Sequence, residues 1–422
     1  MSSVSWHPEE FYTPFFSDSA KERRPSPIRG LFPLEKRPGV ISLLAGKPNP
    51  DTFPLTSVTF TARSLYDLEK EDSYTISDSA LSQALQYSDT SGLPQLLNWL
   101  TGLQEKSHGR KVGEGWRVSV GSGSQDVLYK VKPLIHYPEI EVDAQGISSG
   151  SLRKIMDEWP INKPKPRVLY TVPYGCNPTG ITTAIERRRE VLEIARAHNI
   201  LILEDDPYFY LYFGDQERPP SFFALEAQMG GTVGNVVRFD SFSKVLSAGI
   251  RIGFVSGPEP ILRAIDMHTA TANLQVSSLT QAIVFSLLSD WGYDGFGKHI
   301  EHVSQFYRSK RDVFQSAMKR HLDGLAEWEV PVAGMFFWFK LRLPAHAGAP
   351  EGDSKELIET KAYENGVLAL PGTVFIPNDT KTAYVRASFS LLDEEQVNEA
   401  LRRLGEHDTG ALMAVFDLIA FT

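Results

Sequence analysis

The sequence predicts an α/β protein, a mainly parallel sheet flanked by helices, with a smaller α+β domain at its C-terminal end. Three observations carry this. Short β-rich runs alternate with amphipathic helical stretches from about residue 55 to 300, and strands separated by helices join in parallel. A long amphipathic stretch from His299 to Leu322 is then followed by mixed strand and helix patterns. The 422 residues suffice for two domains with sizeable cores.

The first 50 or so residues form an arm, because Pro25, Pro27, Pro33, Pro38, Pro48 and Pro50 block long helices. Arg117–Gly121 is a strand leading into a Gly/Ser loop, and Val168–Val172 is a second strand. Ala184–His198 is a helix whose Ile185, Leu192 and Ala195 share a face, with Arg187, Arg188 and Arg189 outside. Ile200–Leu203, Asn235–Phe239 and Ile252–Val255 are further strands. Beyond the long helix come Phe336–Leu341, a helix over 356–365, a strand Tyr384–Ser388 and a closing helix from Glu394 to Leu404. The expected division is an arm over 1–54, a large domain over 55–298 and a small domain over 299–422.

Composition narrows the function. Hydrophobic content of 42% and charge of 23% are those of a soluble globular chain. A net charge of -9 argues against nonspecific nucleic-acid binding. A single cysteine, Cys176, leaves no disulfide framework and no cysteine metal cluster, which fits a reducing compartment such as the cytoplasm. The N-terminus lacks the basic and apolar pattern of a signal peptide. No uncharged apolar stretch is long enough to span a membrane, and the apolar tail Ala411–Thr422 contains Asp417.

Chemistry concentrates in four segments. Asp240-Ser-Phe-Ser-Lys-Val-Leu-Ser-Ala-Gly-Ile-Arg251 sets Lys244 beside Ser241 and Ser243, with Arg251 seven residues on. A lysine that forms a Schiff base with pyridoxal phosphate needs such a phosphate-holding shell, and arginine's planar fork suits phosphate. A basic surface loop has the same composition. Gly121-Ser-Gly-Ser-Gln125 opens a helix, where backbone N–H groups bind phosphate and Ser124 and Gln125 add donors. Many strand-to-helix turns are Gly/Ser-rich for steric reasons alone. Asn177, in Tyr170-Thr-Val-Pro-Tyr-Gly-Cys-Asn-Pro-Thr-Gly180, offers an amide to a ring oxygen, or makes a plain Asn-Pro turn. In Leu203-Glu-Asp-Asp-Pro-Tyr208, Asp205 sits at a strand's C-terminal end, where open α/β sheets bind ligands. It can pair with a protonated pyridine nitrogen, with Tyr208 reaching the phenolic oxygen. The adjacent acids could instead cap a helix.

Taken in order, these motifs resemble the fold-type I aminotransferases that depend on pyridoxal phosphate, within the aromatic-amino-acid and 2-aminoadipate/kynurenine branch. The resemblance runs from about residue 17 to 405 and includes Arg24-Pro-Ser-Pro-Ile-Arg29 and Ala84-Leu-Gln-Tyr87. The wording over 45–54 is most similar to fungal aromatic aminotransferases. The resemblance implies pyridoxal 5′-phosphate as cofactor. It also implies an amino acid and a 2-oxo acid such as 2-oxoglutarate as substrates, and a homodimer in which Tyr87 reaches the neighbouring subunit's phosphate. Arg29, Gly46 and Asn177 would line the substrate pocket, and Arg386 would hold the α-carboxylate.

One departure stands out. After Lys130 the chain passes through Val131-Lys-Pro-Leu-Ile-His-Tyr-Pro138 straight to Glu139. The family has a longer helix, a further strand and an aromatic-bearing loop there. A helix of about 11 residues and a strand of about 5–6 set the scale of the loss. The aromatic that stacks on the pyridine has no counterpart, although Tyr137 lies nearby. A second reading follows: a catalytically impaired remnant that dimerises or binds, or a sequence from which a segment has been dropped.

Overall fold

The computed structural model describes residues 4–24, 34, 37–41, 43, 46–131, 138–345, 351–376 and 380–419, with side chains to residue 406. Arg29, Pro133 and Tyr137 lie outside the described residues.

The large unit runs α1 (Pro94–His108), β1 (Trp116–Gly121), α2 (Ser124–Val131), β2 (Val168–Thr171), α3 (Ile185–Ala197), β3 (Leu201–Asp205), α4 (Phe222–Gln228), β4 (Val236–Ser241), β5 (Gly253–Pro258) and α5 (Glu259–Ala272). The five strands form one sheet in the order β1-β5-β4-β3-β2. β5 alone runs against the others, antiparallel to both β4 and β1. The sheet is therefore mainly parallel, as expected, with one strand reversed. Residues 242–252, which join β4 to β5, hold two single turns and no helix, whereas a parallel return is usually made by a crossover helix.

Side chains alternate across the sheet, and each face has its own core. Leu201, Leu203, Val237 and Phe239 pack with Val127, Leu128, Ile261 and Leu262 of α2 and α5. Ile202, Val236 and Phe254 join the larger core beneath α1, α4 and the long helix. Leu201, Ile202 and Leu203 are each at most 1% exposed. Burying each contributes about 1.5–3 kcal/mol, which makes β3 the anchored centre of the sheet.

α6 spans Ser278–His321, with a non-helical break at Gly292. The helix expected from His299 thus begins 21 residues earlier, because Ser277 caps a preceding helical segment that runs on into it across Gly292. The expected boundary between 298 and 299 falls within it. A second sheet follows, built from β6 (Ala326–Trp328), β7 (Phe336–Leu341), β8 (Leu370–Pro371) and β9 (Tyr384–Ser388) in the order β6-β7-β9-β8. α7 (Glu394–Ile419) closes the chain and extends beyond the expected Leu404.

Two features flank the departure after Lys130. α2 has only 8 residues, and β2 is the edge of the sheet among the described residues. Among the described residues, Val142–Asp143 and Gly146–Ile147 pair only with each other. Part of the N-terminal arm docks beside this edge. Phe11, Phe15 and Phe16 pack on the core that Val168 and Tyr170 border, and Arg167 donates to the Pro14 carbonyl.

Arg188 corrects one expectation. The sequence pattern places it on the outer face of α3, yet it is 0% exposed. Its guanidinium donates to the carbonyls of Thr183, Pro220 and Pro173 at 2.9, 3.1 and 2.9 Å, and lies 4.1 Å from the Tyr174 ring centre. The Pro173 carbonyl also accepts from the Thr183 amide at 2.8 Å, so the arginine is its second donor. Arg188→Ala should strand the Thr183 and Pro220 carbonyls and lower stability by about 3 kcal/mol, read as a fall in the urea midpoint. Arg189→Ala, on the exposed face, should change it by less than about 0.5 kcal/mol.

Candidate active site

The cleft opens at the carboxyl ends of β3 and β4. It encloses about 310 Å³ and is lined by Ser124, Gln125, Tyr170, Val172, Asn177, Asp205, Pro207, Tyr208, Ser241, Ser243, Lys244 and Arg251. Segments up to 127 residues apart in sequence (Ser124 to Arg251) thus supply one cavity.

One end is rich in donors. β4 ends at Ser241, whose Oγ accepts from the Ser243 amide at 3.2 Å, and a single turn over Phe242–Lys244 turns Lys244 into the cleft. Arg251 takes a left-handed backbone, with φ 50. Its Nη1 donates to Ser243 Oγ and the Ala248 carbonyl, and its Nη2 to the Ser122 carbonyl, all at 3.1 Å. Arg251 therefore ties the lysine loop to the Gly121–Ser124 loop. Two glycines permit this approach: a Cβ on Gly123 would lie 2.4 Å from Arg251 Nη2, and one on Gly253 would lie 2.5 Å from the Ser124 amide nitrogen.

The N-terminus of α2 points into the same end. Asp126 Oδ2 accepts from the Ser122 amide at 3.0 Å and from Lys130 Nζ at 2.9 Å, and Lys130 also donates to Thr269 Oγ1 at 2.9 Å. The lysine neutralises a carboxylate that would otherwise oppose an anion there, and it pins the short helix to α5.

The other end is acidic. Asp205 is 9% exposed, and Tyr170 donates its hydroxyl proton to Asp205 Oδ2 at 2.9 Å. Burial, then the Asp205 charge, raises the pKa of Tyr170, and burial followed by Asp205 does the same to Tyr208. Both phenols remain neutral O–H donors at neutral pH. The alternative of a helix-capping acid pair fails for Asp205, which lines the cleft. Asp206 faces away from it, toward Arg238.

At the rim, Arg386 on β9 donates to Asn177 Oδ1 at 2.6 Å, which leaves the amide N–H₂ of Asn177 for the cleft. The Arg386 guanidinium lies 4.3 Å from the Phe336 ring centre and 5.0 Å from that of Phe375. Burial pulls its pKa below the usual arginine value while Tyr208 opposes the shift; it stays charged.

Two expected site residues stand elsewhere. Tyr87 is 56% exposed and lines a separate cavity of about 390 Å³ with Pro48, Phe53 and Gln275. Gly46 is exposed, and a Cβ there would meet nothing within 4 Å. Tyr170 is a cleft residue to which the sequence motifs give no role. The available signal was register: β2 and β3 run parallel with Tyr170 opposite Leu203, on the same face as Asp205.

The sheet order and a cleft with hydroxyls, lysine and guanidinium at one end and a buried carboxylate at the other define a fold-type I pyridoxal-phosphate enzyme. The chain belongs to the family of class I and II aminotransferases, whose model matches residues 129–404. It is 42% identical over 420 residues to "Aminotransferase tdiD" of Emericella nidulans, covering 93% of this chain and 94% of that one. It is 36% identical over 436 residues to the mitochondrial kynurenine/alpha-aminoadipate aminotransferase of Bos taurus, covering 94% and 98%. Aminotransferase Aro8 from Candida albicans shares the fold, with a TM-score of 0.84 at 24% identity over 97% of this chain and 99% of that one. The kynurenine aminotransferase of Pyrococcus horikoshii superposes with a TM-score of 0.70 at 28% identity, covering 94% and 97%. The protein is thus an aminotransferase, and pyridoxal 5′-phosphate is its cofactor. The donor set fits that group, with anion donors at one end and a carboxylate for a ring N–H at the other. Nothing in the cleft favours the remnant reading.

Tyr170→Phe should weaken pyridoxal-phosphate binding about tenfold, since a hydrogen bond to a charged group is worth about 1.5–3 kcal/mol and only part of that reaches the cofactor. Fluorescence titration of the purified apoprotein measures it.

Proposed function

We propose that this aminotransferase moves the amino group of an aromatic or 2-aminoadipate-type amino acid to a 2-oxo acid such as 2-oxoglutarate. The observation that carries the reading is the placing of Lys244 between an anion-binding end and Asp205, with Arg386 at the rim. The relatives support the substrate class: one is named for kynurenine and alpha-aminoadipate, another for aromatic amino acids at 30% identity in Dictyostelium discoideum. The Pyrococcus horikoshii structure holds PMP, with KYN as substrate.

Ser241, Ser243, Arg251 and the α2 N-terminus with Ser124 and Gln125 bind the phosphate dianion. Asp205 pairs with the protonated ring nitrogen, and Tyr170 keeps that carboxylate aimed. Asn177 and Tyr208 donate to the ring's phenolic oxygen. When bound, pyridoxal phosphate supplies an electron sink for the pair left at the substrate's α-carbon. Arg386 takes the substrate α-carboxylate as a bidentate partner, with the rings of Phe336 and Phe375 beside its guanidinium. Lys244 Nζ anchors the cofactor between turnovers, and once free takes the α-proton as general base.

Tyr87 points away from its own cleft, which supports its serving the neighbouring subunit's phosphate in a homodimer. Gly46 and Arg29 belong to the substrate side of the same reading. The single cysteine supports a reducing compartment, the cytoplasm.

The test is the absorbance spectrum of the purified chain mixed with pyridoxal phosphate, repeated after adding phenylalanine, kynurenine or 2-aminoadipate. A visible band that bleaches on adding the donor, with glutamate formed from 2-oxoglutarate, is expected; free cofactor alone overturns the reading. Lys244→Ala should form no visible band. Arg386→Lys should retain the band and lose about 100-fold in kcat/KM, the loss of about 2.7 kcal/mol that follows when a bidentate partner becomes a point charge.

A further inference from the structure

The two ends of the cleft hang from adjacent strands, and one buried residue joins those strands on the face turned away from it. β3 presents Asp205 to the cleft, so Glu204 and Asp206 point to the opposite face. β4 presents Ser241 to the cleft, and Arg238 and Asp240 point with Glu204 and Asp206. The register sets Arg238 opposite Glu204 and Phe239 opposite Asp205.

Arg238 is 0% exposed. Its Nε and Nη2 donate to the two carboxylate oxygens of Asp240 at 3.0 and 2.8 Å. Its Nη1 donates to Asp206 and lies 3.3 Å from Glu204 Oε2. The ring of Phe209 lies 4.6 Å from the guanidinium carbon. The three acids have further partners. Gln104 of α1 donates to Asp240 at 3.0 Å, and the Phe222 and Phe223 amides at the start of α4 donate to Glu204 at 2.6 and 3.1 Å. Burial outweighs the pull of Arg238 and leaves the carboxyls of both Asp206 and Asp240 above the usual carboxylate range, that of Asp206 well above it.

Asp206 and Asp240 each adjoin a cleft residue, Asp205 and Ser241. We propose that Arg238 is a positioning residue for the reaction, fixing the separation between the Asp205 end of the cleft and the Ser241–Lys244 end. The inference rests on the functional reading above and deepens it. A cofactor that touches both ends binds well only when their separation matches it, and a misplacement of about 1 Å costs about 100-fold in such sites. A purely structural Arg238 would lower stability and leave cofactor affinity alone.

The control is another buried arginine. Arg110 is 2% exposed, donates to the Phe223 carbonyl at 3.1 Å and pairs with Glu114 and Glu226 at 3.0 and 3.5 Å; none of these lines the cleft. Urea midpoints and pyridoxal-phosphate dissociation constants would be measured for the wild type, Arg110→Gln, Arg238→Gln and the milder, isosteric Asp240→Asn. Arg110→Gln should lose stability and keep its dissociation constant within about twofold. Arg238→Gln and Asp240→Asn should raise it about tenfold or more, and shift the visible band. If Arg238→Gln does not fold, Asp240→Asn decides alone. An unchanged dissociation constant in Asp240→Asn, or an equal rise in Arg110→Gln, overturns the inference with the functional reading intact. A wild type that binds no pyridoxal phosphate overturns both.

Discussion

The cleft must hold a cationic, anion-binding end and a carboxylate within one small cavity without letting them neutralise each other. At the distances of a buried pair, opposite charges attract by several kcal/mol, so each needs another partner. The fold supplies neutral ones. Arg251 donates to two carbonyls and a hydroxyl, and Asp205 accepts from a phenol. The one carboxylate near the anion end among the described residues, Asp126, is already matched by Lys130. Charge stays available for a ligand because the protein's own polar groups hold each end short of pairing.

Strand alternation makes this separation possible. Acidic residues 204 to 206 are consecutive, and a helix would scatter them around its axis. A strand sends Asp205 to the cleft and Glu204 and Asp206 to the opposite face, where Arg238 meets both. One sequence segment thereby serves binding on one side and cohesion on the other. The two cores differ accordingly: the face shared with Asp205 is lined by Leu203, Phe239 and Val127, and the other buries a full ionic cluster at 0–1% exposure.

Local motifs were legible in the sequence because their meaning lies within a few residues. Ser241, Ser243 and Lys244 share one turn, Ser124 opens a helix, and Asp205 ends a buried strand. The strands were placed to within a few residues for the same reason. Tyr170, Arg238 and Arg188 were not legible, because their roles arise between strands or across a helix face. Tyr170 acquires its partner from the β2–β3 register. Arg188 sits among three arginines of α3, and only the carbonyls of Pro173 and Pro220 distinguish it from its neighbours. The antiparallel β5 likewise follows from a connection that holds no helix, not from the residues of the strand itself.

The departure after Lys130 lies away from the two strands that carry the ends of the cleft. β3 and β4, which carry the two ends of the cleft, are central strands paired on both sides. Among the described residues β2, which carries Tyr170, is the edge of the sheet. What remains of α2 is the part that matters for an anion, its N-terminus, and Lys130 fastens that remnant to Thr269 of α5. The aromatic liners of the described cleft, Tyr170 and Tyr208, both carry hydroxyls, and Tyr170 is tied to Asp205. Among the described residues the cleft thus keeps the groups that, on the proposed reading, grip the cofactor's two ends. An aromatic stack is worth about 0.5–1.5 kcal/mol beyond burial, whereas charge-assisted bonds at the two ends are each about twice as strong as neutral ones. On the proposed reading, the ends therefore outweigh the face in holding the cofactor.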